Sequence, residues 1–284
     1  MIHHGLMSQA ASDLGPVVLS GPPVLVHGPA GCGRTTALDV VATAARGRGH
    51  RLLRLVSTEE GPLVASHAAA GEPLSSAASI LMQVAGPVDT SAARRLAQAV
   101  AAALGREGRV LLVDDLHRAD AGTMAVLREL IPLLAEAGIA AAFGVRTPAP
   151  ERLAARLGVR TLRERDRLRL YRVPRLDRRA VAEVLHRRYD AAPAWDLVED
   201  VWRRTRGLPV AVAHLADVLV RTDRIRVIDR HAFLYPEATP PRRRPVTGPR
   251  RVHWSGRSWP WVHRCGRWPP RWRSSSRSVP ARRG

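Results

Sequence analysis

The chain of 284 residues contains no lysine and no asparagine, so all 45 of its basic residues are arginine. Both missing residues are specified by AT-rich codons. Their joint absence points to a GC-rich gene, in which an arginine carries less meaning than it would in an ordinary composition. Only two cysteines occur, Cys32 and Cys265, too few and too far apart for a disulfide framework. No stretch approaches the roughly 18 unbroken apolar residues of a membrane span. The start, Met1-Ile2-His3-His4-Gly5-Leu6, has neither the basic nor the long apolar region of a secretory signal. Together these absences predict a soluble, cytoplasmic protein in a reducing setting, without a membrane partner.

What is present is enough apolar residue, 45%, to bury the core of one large or two small domains. The net charge of +20 is unevenly placed. Residues 241–284 hold 13 arginines, no acidic residue and five of the seven tryptophans (Trp254, Trp259, Trp261, Trp268 and Trp272), which leaves +7 for residues 1–240. The basic balance therefore describes the tail more than the folded part. Arginine with interleaved tryptophan could neutralise phosphates and stack on bases, a nucleic-acid reading. GC-rich codons read in the wrong frame yield the same arginine, proline, glycine, serine and tryptophan. Composition and periodicity both break near Pro240, which favours the second account and predicts that residues 237–284 are disordered.

The chain is organised around Val24-Leu25-Val26-His27-Gly28-Pro29-Ala30-Gly31-Cys32-Gly33-Arg34-Thr35-Thr36. An apolar run stops at a glycine-rich turn and then opens a helix, the outline of a phosphate-binding loop. Gly28, Gly31 and Gly33 let successive N–H groups point inward at an anion, and the positive end of the helix adds to that field. Thr35 stands where a hydroxyl ligates the magnesium ion of a nucleoside triphosphate. Arg34 stands where the pattern asks for lysine. The bland alternative is a glycine turn before a helix.

A second signature lies about eighty residues on, in Val110-Leu111-Leu112-Val113-Asp114-Asp115-Leu116-His117-Arg118-Ala119-Asp120. A buried strand ending in two carboxylates leaves them at the carboxyl edge of a sheet, where ligands of open α/β sheets bind. Asp114 is expected to hold magnesium and Asp115 to polarise an attacking water. Asp120 reads as the N-cap of the next helix. A pair of this kind is otherwise a turn or a cap, and it gains its meaning from the loop upstream.

With both signatures in hand, the chain resembles the signal-transduction ATPases with numerous domains (STAND), most closely the ATPase module of large ATP-binding LuxR-type transcriptional regulators. The stretch from Val110 to Asp120 is similar to that family's L-L-V-D-D-L-H-W-A-D, with Arg118 in place of tryptophan. The resemblance implies that Gly28 to Thr35 is the Walker A loop and Asp114-Asp115 the Walker B pair. It makes Arg146 the arginine beside the γ-phosphate and Gly207-Leu208-Pro209 the G-x-P of a helical lid, with Pro209 near the nucleotide. The expected ligands are ATP and Mg2+, contacted by Gly28 through Thr36 and Pro209, with Thr35 and Asp114 on the metal and Asp115 and Arg146 in the catalytic roles. Weak, slow or absent hydrolysis is expected because Arg34 replaces lysine; an inactive nucleotide-binding scaffold is the alternative. Further implied partners are a second copy or another protein, and DNA only through a C-terminal domain that the sequence lacks.

The coarse organisation predicts an α/β protein: a P-loop NTPase core with a parallel sheet between helices over residues 21–175, then a helical lid and hairpin over 176–236. Residues 1–20 read as a loose lead-in, with Val17-Val18-Leu19 as a short edge strand. Strands are expected at 24–27, 52–56, 110–113, 139–145 and 168–173. Helices are expected from Thr35 to Arg46, from a Thr90 or Ser91 cap to Gly105, and from Thr123 to Ala137 with Pro132 as a kink. Residues 57–89 offer little period, and Arg152 to Arg169 reads as one solvated helix. In the lid, Asp177 caps a helix carrying Val181, Val184 and Leu185, Pro193 opens one carrying Trp195, Val198, Val201 and Trp202, and a third runs from Val210 to Val220. A hairpin over 225–228 and 232–235 ends the pattern.

Overall fold

The computed structural model describes residues 13–59, 62–65, 75–84, 86–147 and 151–235. The lead-in before residue 13 and the tail from 236 onward, with the disorder expected of it, lie outside the described residues. Six strands form one sheet: β1 (Val24–Gly28), β2 (Arg51–Ser57), β3 (Leu63–Ala65), β4 (Arg109–Asp114), β5 (Ala141–Arg146) and β6 (Arg169–Arg172), in the order β3-β2-β4-β5-β1-β6. All neighbours run parallel except β3, which pairs antiparallel with β2 at the edge.

Although these strands read as unbroken apolar runs, their side chains divide by parity between two cores. Val24 and Val26 of β1, Val110 and Leu112 of β4 and Ala142 of β5 enter one core; Leu25, Leu111, Val113, Ala141, Phe143 and Val145 enter the other. Helices α1 (Leu14–Leu19) and α2 (Arg34–Gly47) cover the first face. Helices α3 (Ser76–Met82), α4 (Thr90–Glu107), α5 (Ala121–Glu136), α6 (Glu151–Leu157) and α7 (Val159–Glu164) cover the second. This is the parallel sheet between two helical layers that the alternation of elements predicts.

The chain leaves β1 towards β2 by way of α2 on one face, and leaves β5 towards β6 by way of α6 and α7 on the other. Opposite directions on opposite faces are both right-handed, and they open a crevice where the two departures diverge, at the carboxyl ends of β1 and β5. Gly28 faces Arg146 across that point, and the Thr147 N–H donates to the Gly28 carbonyl at 2.9 Å.

After β6 come α8 (Arg178–Tyr189), α9 (Trp195–Thr205), α10 (Pro209–Arg221) and three further strands, β7 (Ala192–Pro193), β8 (Ile225–Ile228) and β9 (His231–Leu234), which form a second sheet in the order β7-β9-β8. Val181, Leu185, Leu197, Val201, Val212 and Ala216 join the first core, so these helices continue the layer of α1 and α2.

Several local expectations are corrected. Val17-Val18-Leu19 belongs to α1, not to an edge strand; Leu14 and Val18 are fully buried, and Gly15 comes so close to α2 that a Cβ there would lie 2.7 Å from Ala44. The cap of α4 is Asp89, which accepts from the Ala92 N–H at 2.8 Å, and the helix runs past Gly105 to a left-handed Gly108. Residues 57–89 contain β3 and α3. The arginine-rich stretch from 152 to 169 is two helices broken at Gly158 (φ +66°), anchored by buried Leu157 and Leu162, followed by β6. Pro193 lies in β7; Ala194 precedes α9, and Trp195 is 67% exposed, off the buried stripe of Val198 and Val201.

Candidate functional site

Among the described residues four helices begin with a side-chain cap: Ser75 on α3, Asp89 on α4, Asp120 on α5 and Asp177 on α8. Helix α2 does not. Its N-cap is Gly33 at φ +91°, so no side chain covers the helix's positive end, the arrangement that suits an anion. The loop before it is a tight coil. Gly31 has φ +75°, and a Cβ on Gly28 would lie 2.5 Å from the Cys32 Sγ, so both positions depend on glycine. Cys32 itself is buried. Burial pushes its thiol pKa up, and the Arg34 guanidinium and N–H only partly oppose that, which leaves the sulfur as packing rather than as a nucleophile.

The strand end of β4 closes the other side of the crevice. Asp114 is 4% exposed; its Oδ2 accepts from the Thr35 hydroxyl at 2.8 Å, and its Oδ1 accepts from the Asp115 N–H at 2.8 Å. Loop and strand, 79 positions apart, thus meet through a hydroxyl and a carboxylate, both oxygen donors of the kind a magnesium ion takes. Gly144 on β5 makes room for them: a Cβ there would lie 2.5 Å from the Asp114 Oδ1. Among the described residues no group of three His, Cys, Asp or Glu side chains forms a metal cage. One hydroxyl and one carboxylate would leave the other positions of an octahedral ion to phosphate and water.

Asp115 follows in the left-handed region at φ +51° and starts a short 3-10 turn, Leu116–Arg118. Its Oδ1 lies 3.5 Å from the Arg34 Nη2 and 3.8 Å from the His117 Nδ1. Arg34 also donates to the Gly28 carbonyl at 2.7 Å and the Pro29 carbonyl at 2.9 Å. The guanidinium is thus bound to the loop's own backbone and to the acidic end of β4. Burial lowers the His117 pKa; Asp115 opposes this, while the charges of Arg34, Arg118 and Arg146 lower it further. Arg146, the last residue of β5, lies at the same edge and is exposed. Arg118 reaches Glu59 at 3.6 Å.

Helix α10 touches the loop directly. The Val210 N–H, in the first turn of α10, donates to the Gly31 carbonyl at 3.3 Å, with Pro209 at the helix start. Gly207 holds the preceding turn at φ +69°, against the Leu176 carbonyl, where a Cβ would lie 2.0 Å away. The structure thus brings Gly28 through Thr36, Asp114, Asp115, Arg146 and Pro209 to one crevice. Sequence reasoning gave no role to Gly144, His117 or Val210. A glycine inside an otherwise apolar strand was a readable sign of close approach at Gly144. No sequence signal marks Val210.

Residues 9–141 match the family described as the AAA ATPase domain. The matched stretch includes both the loop from Gly28 to Thr36 and the strand end at Asp114-Asp115. A search of curated proteins finds no match to the chain. Among solved structures, it is similar to a RuvB variant of Thermotoga maritima, at 15% identity and a TM-score of 0.41, over 76% of this chain and 61% of that one. It is also similar to a STAND protein with a tetratricopeptide repeat sensor from Pyrococcus horikoshii, at 11% identity and 0.45, over 72% and 29%. A third is the AMPPCP-bound DnaA of Aquifex aeolicus, at 13% identity and 0.44, over 75% and 61%. The chain spans 61% of the length of the first of these.

Proposed function

We propose that the chain is the ATP-binding switch module of a signal-transduction ATPase, of the kind carried by large LuxR-type transcriptional regulators, and that it hydrolyses ATP slowly or not at all. The core, residues 21–175, would bind nucleotide, and the lid, residues 176–236, would report its presence through the contact of Val210 with Gly31. The observation that carries the reading is the 2.8 Å contact between the Thr35 hydroxyl and the Asp114 carboxylate. It joins the two halves of a metal–triphosphate site whose residues are far apart in the chain.

In this reading the N–H groups of Gly28 through Thr36 cradle the phosphates, while Thr35 and Asp114 hold magnesium. The ion, when bound, neutralises charge on the phosphate oxygens. Asp115 orients the attacking water, and Arg146 lies at the edge where charge develops on the γ-phosphate. Arg34 supports the second reading, a nucleotide-binding scaffold without turnover, because its planar fork is already committed to two carbonyls and Asp115. Self-association, or docking of another protein, would transmit the switch.

The deciding experiment is equilibrium ATP binding with and without magnesium, followed by single-turnover hydrolysis by the wild type and Arg34→Lys at saturating nucleotide. Binding with turnover at least tenfold faster in the lysine variant supports the switch with an impaired catalytic loop. Binding without turnover in either selects the scaffold. No binding by either removes the nucleotide reading.

A further inference from the structure

Resting on the ATP-binding reading, we propose that Arg34 is a latch with two exclusive sets of partners. In the nucleotide-free chain its guanidinium holds the loop's own carbonyls and Asp115, and a triphosphate docks by drawing it away from them. The side chain is only 11% exposed, although it stands at the mouth of the crevice. Its Nη1 donates to both Gly28 and Pro29, its Nη2 lies against the Asp115 carboxylate, and the guanidinium also contacts the Cys32 thiol. One donor is left over: the Nε is buried and has no hydrogen-bond partner. A guanidinium has five N–H donors in a rigid fork, so it can grip two carbonyls and a carboxylate at once; a lysine ammonium has no such fork.

The geometry gives the latch a direction. Its present acceptors are two neutral carbonyls and one carboxylate, and its Nε is unsatisfied. Phosphate oxygens carry more negative charge and accept bidentate arginine contacts well, so the exchange is electrostatically favoured once the anion has entered. Asp115 is not stranded by the exchange, because its side chain is 33% exposed and water can solvate the carboxylate that Arg34 leaves. Asp115 thereby opposes nucleotide binding, the reverse of what a carboxylate on the metal would do.

The test is a double-mutant cycle on the full chain, with wild type, Asp115→Asn, Arg34→Gln and the double variant. The readout is binding of a fluorescent ATP analogue in the absence of magnesium. Asp115→Asn should bind about tenfold more tightly than wild type, and the same change made in the Arg34→Gln background should gain less than twofold. A gain of equal size in both backgrounds would reduce the effect to bulk charge and overturn the latch, as would a loss of affinity in Asp115→Asn. If none of the four proteins binds the analogue at millimolar concentration, the nucleotide reading fails and the latch falls with it. If all bind and the cycle is additive, only the latch fails.

Discussion

The two halves of the crevice are built from different materials. The loop from Gly28 to Thr36 is backbone: its shape depends on positive φ at Gly31 and Gly33 and on the missing Cβ of Gly28, and no side chain caps the helix it opens. The end of β4 is side chain: a buried carboxylate at Asp114, a second at Asp115, and the imidazole of His117. A half made of backbone is vulnerable to volume and to φ, whereas a half made of carboxylates is vulnerable to charge and aim. Arg34 belongs to the first half by sequence and to both by contact, so a change of its side chain acts at either end.

The strongest test of that contrast is made at the carboxylates. Asp114→Ala should abolish the magnesium dependence of nucleotide binding, a loss of about a hundredfold in metal-supported affinity, because it removes the partner of the Thr35 hydroxyl. Asp115→Ala should leave affinity undiminished. Titration of ATP with and without magnesium measures both, and an equal loss in the two variants would show that the roles are misassigned.

A smaller effect is expected at a residue that touches no ligand. Gly144→Ala puts a methyl group into the 2.5 Å gap beside the Asp114 Oδ1 and must turn that carboxylate away from Thr35. Metal-supported affinity should fall about tenfold, with magnesium-free binding unchanged. Melting temperature and binding read together separate a turned carboxylate from a damaged sheet; if stability falls and metal dependence does not, Gly144 serves packing alone.

The backbone half yields the next prediction. Gly31→Ala is opposed twice, by φ +75° and by the Val210 Cβ at 2.8 Å from the new methyl. The expected cost is on the order of 1–2 kcal/mol, read by denaturant unfolding. Adding Val210→Gly, which removes that Cβ, should recover the steric part but not the conformational part, measured against Val210→Gly alone. Full recovery would assign the whole cost to the lid contact, and no recovery would assign it to the loop's own geometry.

Much of this was legible because the two signatures need little context. An apolar strand, a glycine coil and a helix at 24–47, and an apolar strand ending in Asp114-Asp115, are local patterns, and they alone place the crevice at a carboxyl edge. Where the reading failed, a tertiary neighbour decided. Val17-Val18-Leu19 has the β-branched look of a strand, yet Gly15 and Pro16 sit in the first turn of a helix that closes onto Ala44. Gly105 looked like a helix stop because the next four residues are polar or glycine, but Gly108 takes the left-handed position. Pro193 looked like a first-turn proline until β9 supplied a strand for it to pair with. The partners of Arg34 were not readable at all. Which carbonyls a guanidinium reaches depends on the curl of the loop, and its approach to Asp115 depends on the placement of β5 between β1 and β4.

The smallest effect concerns the strand that leads into the loop. His27 is the residue before Gly28, flanked in register by Val145 of β5 and Arg172 of β6. Burial lowers its pKa below the ordinary 6.5, and the nearby Arg172 charge lowers it further. A histidine whose pKa is depressed on folding binds its proton more readily in the unfolded chain, so its share of stability is complete above pH 6.5 and is lost as pH falls through the folded value. The melting temperature should therefore fall between pH 7.5 and 5, and His27→Gln, which cannot be protonated, should flatten that fall by roughly 1–2 °C. Arg172→Gln, by removing the charge that disfavours protonation, should flatten it by less, since burial is the larger cause. Thermal scans of the three proteins at pH 7.5, 6.5 and 5 check both. If the wild type and His27→Gln lose stability in parallel, the acid sensitivity lies elsewhere, and the strand beneath the loop carries no titrating group of consequence.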